Sequence, residues 1–324
     1  MLESIAVGYR ATIFSLYGLG EFTSAGFAKN ALHFNKEALN VDLTAKHVLI
    51  TGANSGLGFS AAKAIATKGA TVHLLCRNRE RGETASNTLR AMPGIDSNRI
   101  VLHVVDVASV RDVKRFASEW AQTGLPIHVL INNAGILPNE RSETQEGLES
   151  TFATNTMGTY SLTTLLLPFL KKAETPRVVN VSSGGAFNKR LNVTDIAAKN
   201  ESFNGALVYA QTKRQQIELT EYWAKQYPEI QFLSMHPGWA HTPGVESSIP
   251  GFFKTMEKSL RTSDEGADTI VWAAVSEEAK AVRSGALLFD RKETSPHVTL
   301  GGTTAAPGDV EKLVQICSDL LNKL

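Results

Sequence analysis

His47-Val48-Leu49-Ile50-Thr51-Gly52-Ala53-Asn54-Ser55-Gly56-Leu57-Gly58 is the stretch on which the fold turns. Its first four residues form a short apolar run stopped by Gly52, the pattern of a strand buried on both faces of a parallel sheet. After it, Phe59 to Lys68 is rich in alanine and closed by Gly69, which reads as a helix. Strand, glycine turn and helix in that order point to a bound nucleotide. The glycines let the backbone turn tightly and approach a pyrophosphate, whose charge is met by unpaired amides at the helix N-terminus. Candidate contacts are Gly52, Asn54, Ser55, Gly56, Leu57 and Gly58. A glycine turn of purely structural use would leave the same trace.

Working outward, the alternation continues. Ala70 to Cys76 reads as a strand, Glu80 to Arg90 as a helix, Ile100 to Val104 as a strand and Val110 to Gln122 as a helix. Ile127 to Ile131 is a fourth strand, a long helical region follows over Glu146 to Leu170, and further strands cover Arg177 to Val181, Ile230 to Met235 and Ala286 to Phe289. The expected fold class is therefore α/β, a doubly wound parallel sheet of Rossmann type in one domain. Strand ends carry the remaining cofactor candidates. Beyond the second strand stands Cys76-Arg77-Asn78-Arg79, with no acid before Glu80. A carboxylate there would accept bonds from a ribose 2′-hydroxyl, whereas Arg77 suits a 2′-phosphate, so NADP(H) is expected over NAD(H). Asp106 ends the third strand and could face the adenine; Asp106 or Ser109 could equally cap the next helix. Asn133, Ala134 and Gly135 make a second tight turn after the fourth strand.

The chain has 324 residues, 20% of them charged, with a net charge of +1, which gives no footprint for nucleic acid. Two cysteines without metal-ligand spacing exclude a disulfide framework, predict no metal and fit a reducing, cytoplasmic compartment. No apolar run is long enough to span a bilayer. Residues 1–20 are amphipathic and admit two readings, a helix docked on the main domain or a peripheral contact with a membrane.

Tyr209 and Lys213 are four residues apart in a predicted helix and so share a face. A cation near a phenol favours phenolate, which suits a general acid or base. Tyr-x-x-x-Lys alone also occurs in helices where the tyrosine merely packs.

Taken in order, Thr51-Gly52-x3-Gly56-x-Gly58, Asn132-Asn133-Ala134-Gly135, Asn155, Ser183, Tyr209-x3-Lys213 and Pro237-Gly238 resemble the short-chain dehydrogenase/reductase family, over about residues 45 to 290, and in particular its retinol dehydrogenase branch. The resemblance implies a catalytic tetrad of Asn155, Ser183, Tyr209 and Lys213. Tyr209 would exchange a proton with the substrate oxygen, Ser183 would hold that oxygen, Lys213 would lower the tyrosine pKa and hold the nicotinamide ribose, and Asn155 would position a relay water. It also implies cofactor contacts at Tyr209, Lys213, Pro237, Gly238 and Thr242. Strand alternation turns the neighbouring Ser182 away from the site.

One departure is the spacing of Ser183 and Tyr209, 26 positions (209 less 183), longer than is usual in the family. The extra segment, Phe187 to Phe203, is expected to loop over the site and, with Trp239, Ile249, Phe252, Phe253 and Met256, to form an apolar substrate mouth for a retinoid, steroid or long-chain aldehyde; the candidate substrate contacts are Ser183, Phe187, Trp239, Phe252 and Phe253. Packing of those side chains against the body is the competing reading. The expected organisation is an extension over residues 1–45, a dehydrogenase domain over 46–290 with substrate loops 186–206 and 239–260, and a C-terminal loop and helix over 291–324. The expected function is an NADP-dependent oxidoreductase acting on a lipophilic carbonyl or alcohol, in a chain that could form homo-oligomers. A nucleotide-binding regulatory or scaffold protein without turnover is the alternative.

Overall fold

In a computed structural model, residues 2–198 and 203–324 are described, residues 2–7 by backbone alone. Eight strands form one sheet: β1 (His47–Thr51), β2 (Thr71–Cys76), β3 (Ile100–Val104), β4 (Val129–Asn132), β5 (Arg177–Val181), β6 (Gln231–His236), β7 (Leu287–Phe289) and β8 (Lys292–Thr294). Their order is β3-β2-β1-β4-β5-β6-β7-β8, parallel except for the hairpin partner β8. Strand order reverses between β1 and β4, the place where open α/β sheets bind ligands.

In β1, Val48 and Ile50 face one apolar layer and Leu49 the other. The first layer is covered by α3 (Gly56–Ala66) and the second by α5 (Val110–Thr123), α6 (Gly158–Leu170), α7 (Gly205–Gln226) and α11 (Asp309–Lys323). Helices α4 (Arg79–Arg90) and α10 (Ser263–Val275) complete the wrapping, and the short α8 (Pro243–Ser248) and α9 (Pro250–Met256) follow β6. A row of histidines crosses the second layer. The rings of His103, His73 and His47 touch through nitrogens 2.9 and 3.0 Å apart, and His128 Nδ1 accepts the His47 backbone N–H.

The N-terminal segment forms α1 (Leu2–Glu21) and α2 (Ser24–Ala31) and docks on the body. Arg10, Phe14 and Gly18, one helical stripe, face inward: Arg10 donates to the Gly301 carbonyl at 2.8 Å, and Phe14 packs on Phe22 and Trp239. Phe22 is fully buried among Phe187, His236, Trp239 and Phe289. Tyr9, Ile13 and Leu16 on the other side of α1 are exposed, whereas Tyr17, also partly exposed, meets Phe22 edge to face at 5.3 Å. Among the described residues no helix is long and apolar enough to cross a membrane.

Two local expectations change. The helix predicted from Glu146 opens instead at Ser150 and runs through a π-helical stretch, Phe152–Met157, before α6. Glu146 and Glu149 are drawn to unpaired amides: Glu146 accepts from Val110 and Arg111 N–H at the start of α5, and Glu149 from Thr151 and Phe152 N–H. The segment after Ser183 also does not simply arch over the site. Leu191 and Val193 are buried in the second apolar layer, so burial of these two side chains draws the loop inward, and residues 199–202 of the expected loop 186–206 lie outside the described residues.

Candidate active site

The site lies along the C-terminal ends of β1, β4, β5 and β6. Two glycine-bearing turns are stitched together there by Thr51, whose Oγ1 accepts the backbone N–H of Asn133 and of Ala134, each at 2.9 Å. Asn133 returns the contact, donating from Nδ2 to the carbonyls of Thr51 and Gly52. Gly52 adopts φ +64, where a side chain is strained, and a Cβ on Gly58 would stand 2.5 Å from the Gly52 carbonyl oxygen. Ser55 caps α3 without a side-chain bond, which leaves the first amides of that helix facing an open space.

That space is a cleft of about 430 Å³ lined by Gly52, Asn54, Ser55, Gly56, Leu57, Arg77, Asp106, Asn133, Ala134, Gly135, Tyr209, Lys213, Pro237 and Thr242. The expected cofactor residues thus converge, with Gly58 and Gly238 shaping the turns behind the lining. Gly238 needs its φ of +76, and a Cβ on it would strike the Arg261 guanidinium. The dual reading of Asp106 and Ser109 is met by both residues. Ser109 Oγ accepts Asp112 N–H at the start of α5, and Asp106 lines the cleft while its Oδ1 accepts Ala108 N–H. Thr242 caps α8 through Val245 N–H. Arg81 also lines the cleft and was not expected; its spacing of four from Arg77 was the available signal. A cradle of glycines, uncapped helix amides and two guanidinium groups fits the pyrophosphate of a dinucleotide.

Tyr209 and Lys213 share one face of α7, with the Lys213 Nζ 5.4 Å from the phenol ring centroid. Ser183, at the end of β5, hydrogen-bonds the Tyr209 hydroxyl. Ser182 Oγ donates to the Lys213 carbonyl at 2.8 Å, although Ser182, and not Ser183, is among the residues that line the cleft. The turn after Ser183 is clamped by residues that were not anticipated. His236 Nδ1 accepts Gly184 N–H at 2.9 Å, and the buried Arg214 guanidinium donates to the carbonyls of Ala186, Lys189 and Pro296.

Electrostatics depart from expectation. Burial pushes the Tyr209 phenol up to about 12, although the hydrogen bond from Ser183 opposes the shift. Burial pushes the Lys213 ammonium down to about 7. Desolvation disfavours the charged form of each, and it is the leading cause of both shifts.

Asn155 is also placed differently in its role. Its side chain is fully engaged, Oδ1 accepting Ile136 N–H and Nδ2 donating to the Ile136 carbonyl and to Thr212 Oγ1. Its main-chain carbonyl accepts from Gln216 Nε2 and Thr159 Oγ1. Gln216 thus meets the main chain, not the side chain, of Asn155.

Of the expected substrate residues, Phe187 is 8% exposed and packs against Phe22, so it belongs to an apolar cluster beneath the turn. Trp239 and Phe252 are half-buried and meet edge to face at 5.2 Å, while Phe253 packs on His241. None of these four is among the residues that line the cleft. Trp239 also packs on Phe14, brought in by α1.

Comparison with known proteins agrees with this geometry. The family model for short chain dehydrogenases matches residues 46–250. The human protein named Dehydrogenase/reductase SDR family member 12 is 42% identical over 312 residues, 96% of this chain and 98% of its own. Mouse Retinol dehydrogenase 11 is 31% identical over 242 residues, 74% of this chain and 76% of its own. The crystal structure of an uncharacterized protein from Mycobacterium paratuberculosis has a TM-score of 0.68 at 27% identity, over 87% of this chain and 95% of that one.

Proposed function

The chain belongs to the short-chain dehydrogenase family, and from that premise we propose that it transfers a hydride between NADP(H) and a lipophilic carbonyl or alcohol. The observation that carries this reading is the meeting of Ser183, Tyr209 and Lys213 beside the paired glycine turns. When bound, the nicotinamide gives or takes the hydride at the substrate carbon. In the reducing direction Tyr209 gives its hydroxyl proton to the substrate oxygen, breaking its own O–H bond as the new one forms. Ser183 holds that oxygen by hydrogen bonding as charge develops on it. Lys213 lies beside the phenol and donates toward the cleft, and Gly135 leaves room for it, since a Cβ there would come within 3.2 Å of Nζ.

Arg77 and Arg81 support the choice of NADP(H), because two guanidinium groups at one end of the cleft suit a phosphate. Trp239, Phe252 and Phe14, together with relatives named retinol dehydrogenases, support a lipophilic substrate of the retinoid, steroid or long-chain aldehyde class. The outward stripe of α1 would rest on a lipid surface from which such a substrate comes. Full-length protein should oxidise NADPH against a panel of lipophilic aldehydes and ketones, and Tyr209→Phe should abolish this. Tight cofactor binding with no turnover would favour a scaffold, and turnover unchanged in Tyr209→Phe would overturn the mechanism.

A further inference from the structure

Gln216 stands one turn beyond Lys213 on α7, is fully buried, and has both ends of its amide engaged. Its Oε1 accepts from Lys213 Nζ at 3.0 Å, while its Nε2 donates to the Asn155 carbonyl at 2.8 Å and to Thr159 Oγ1 at 3.1 Å. The amide orientation is therefore determined by its partners, since an ammonium only donates and a carbonyl only accepts. The π-helical stretch brings the carbonyl within reach, for Asn155 lies inside it and π-bulges shift backbone groups out of the regular ladder.

We propose that Gln216 is a positioning residue for the reaction, a fixed bridge that ties Lys213 to the Asn155 main chain and aims its remaining N–H at the cleft. The inference rests on the roles given above to Tyr209 and Lys213. A second bond from Nζ to the Val181 carbonyl, at 2.8 Å, fixes another of the three N–H groups and leaves one for the cleft that Lys213 and Tyr209 both line. An amide keeps its protons except in strong base, so Gln216 holds the lysine without passing a proton inward. The groups facing Lys213 are Tyr209 and Gln216 on its own helix, Val181 on β5, Gly135 after β4 and Asn155. Among the described residues no carboxylate is a partner of this ammonium, and Tyr209 is the titratable group beside it.

The test is the titration of Lys213, read by ζ-¹⁵N NMR on the full chain and assigned with Lys213→Arg. Gln216→Glu places a carboxylate against Nζ and should raise the midpoint by about one unit or more. Gln216→Met, of similar volume, removes the acceptor and should lower the midpoint, with kcat for NADPH oxidation falling roughly tenfold or more, using decanal as the probe. Thr159→Val, which leaves Gln216 in place but removes one partner of Nε2, guards against misfolding of the direct variants and should shift the midpoint in the sense of Gln216→Met by less. Midpoints that stay put in all three variants would overturn the bridge. Midpoints that move while no carbonyl supports turnover would uphold it and sink the proposed reaction.

Discussion

Arg261 and Asp290 form a two-pronged ion pair with both side chains buried, at N···O distances of 2.6 and 2.8 Å. Asp290 sits at φ +47 in the two-residue turn between β7 and β8, a conformation uncommon for a side-chain-bearing residue. The same guanidinium donates to the carbonyls of Glu21, Thr23 and Pro237, so it joins the N-terminal segment to the loop that follows β6. Asp290→Ala should cost about 3–5 kcal/mol, because it leaves a buried charge uncompensated. Urea unfolding would measure the loss, and limited proteolysis should show residues before Asn35 becoming accessible. A change near zero with the segment still protected would mean that the pair is dispensable.

The raised phenol predicts different pH profiles for the two directions. Reduction needs Tyr209 protonated, which holds up to about pH 12, so its rate should show no loss from this group through neutral pH. Oxidation needs phenolate, so its kcat/KM should climb about tenfold per pH unit toward that value. Initial rates in both directions across pH 6–10 would decide, and a flat oxidation profile below pH 8 would show that phenolate is already formed.

At the 2′-phosphate end, Arg77→Asp should weaken NADPH binding far more than NADH binding, and Arg81→Ala should do the same to a lesser degree. Loss of one charge-assisted contact costs about 1.5–3 kcal/mol, or roughly tenfold to a hundredfold in Kd. Fluorescence titration with each cofactor measures it, and equal losses for both would refute the assignment.

Burial lowers His73 to about 3 and His128 to about 4, and His47 and His103 also shift down. Each binds its proton in the unfolded chain near pH 6.5 but not in the fold until lower pH. Stability should therefore fall as pH drops from about 6.5 toward 4, by about 1.4 kcal/mol per pH unit for each proton taken up on unfolding. His73→Leu should flatten that slope, whatever it does at neutral pH, and denaturant midpoints at several pH values would show it.

Ile13→Glu together with Leu16→Glu places charge on the outward stripe of α1 without touching Phe14 or Gly18. If that stripe rests on a bilayer, co-sedimentation with phosphatidylcholine vesicles should fall about tenfold or more while NADPH binding stays intact, since each buried apolar side chain is worth about 1.5–3 kcal/mol. Wild-type protein that never sediments with vesicles would end the lipid-surface proposal.

Much of the site was legible because its signals are local. Gly52 and Gly58 mark a turn by their own backbone freedom, and Tyr209 and Lys213 share a face by helical period alone. Ser182 and Ser183 part company by strand alternation in their partners, the Lys213 carbonyl and the Tyr209 hydroxyl. Phe187 read as a substrate residue because an aromatic after the serine turn carries no mark of which side it faces; only Phe22, some 165 positions earlier (187 less 22), turns it into core.

By itself the sequence determined the alternating strands and helices, the glycine turn and the order of the candidate catalytic groups, since periodicity, turn chemistry and spacing act between near neighbours. Tertiary structure alone decided that α1 packs Phe14 on Trp239, that burial drives Tyr209 and Lys213 away from charge, and that Gln216 bridges Lys213 and the Asn155 carbonyl. Those outcomes depend on which distant surfaces meet and how much water they exclude, and desolvation is a property of the packed whole.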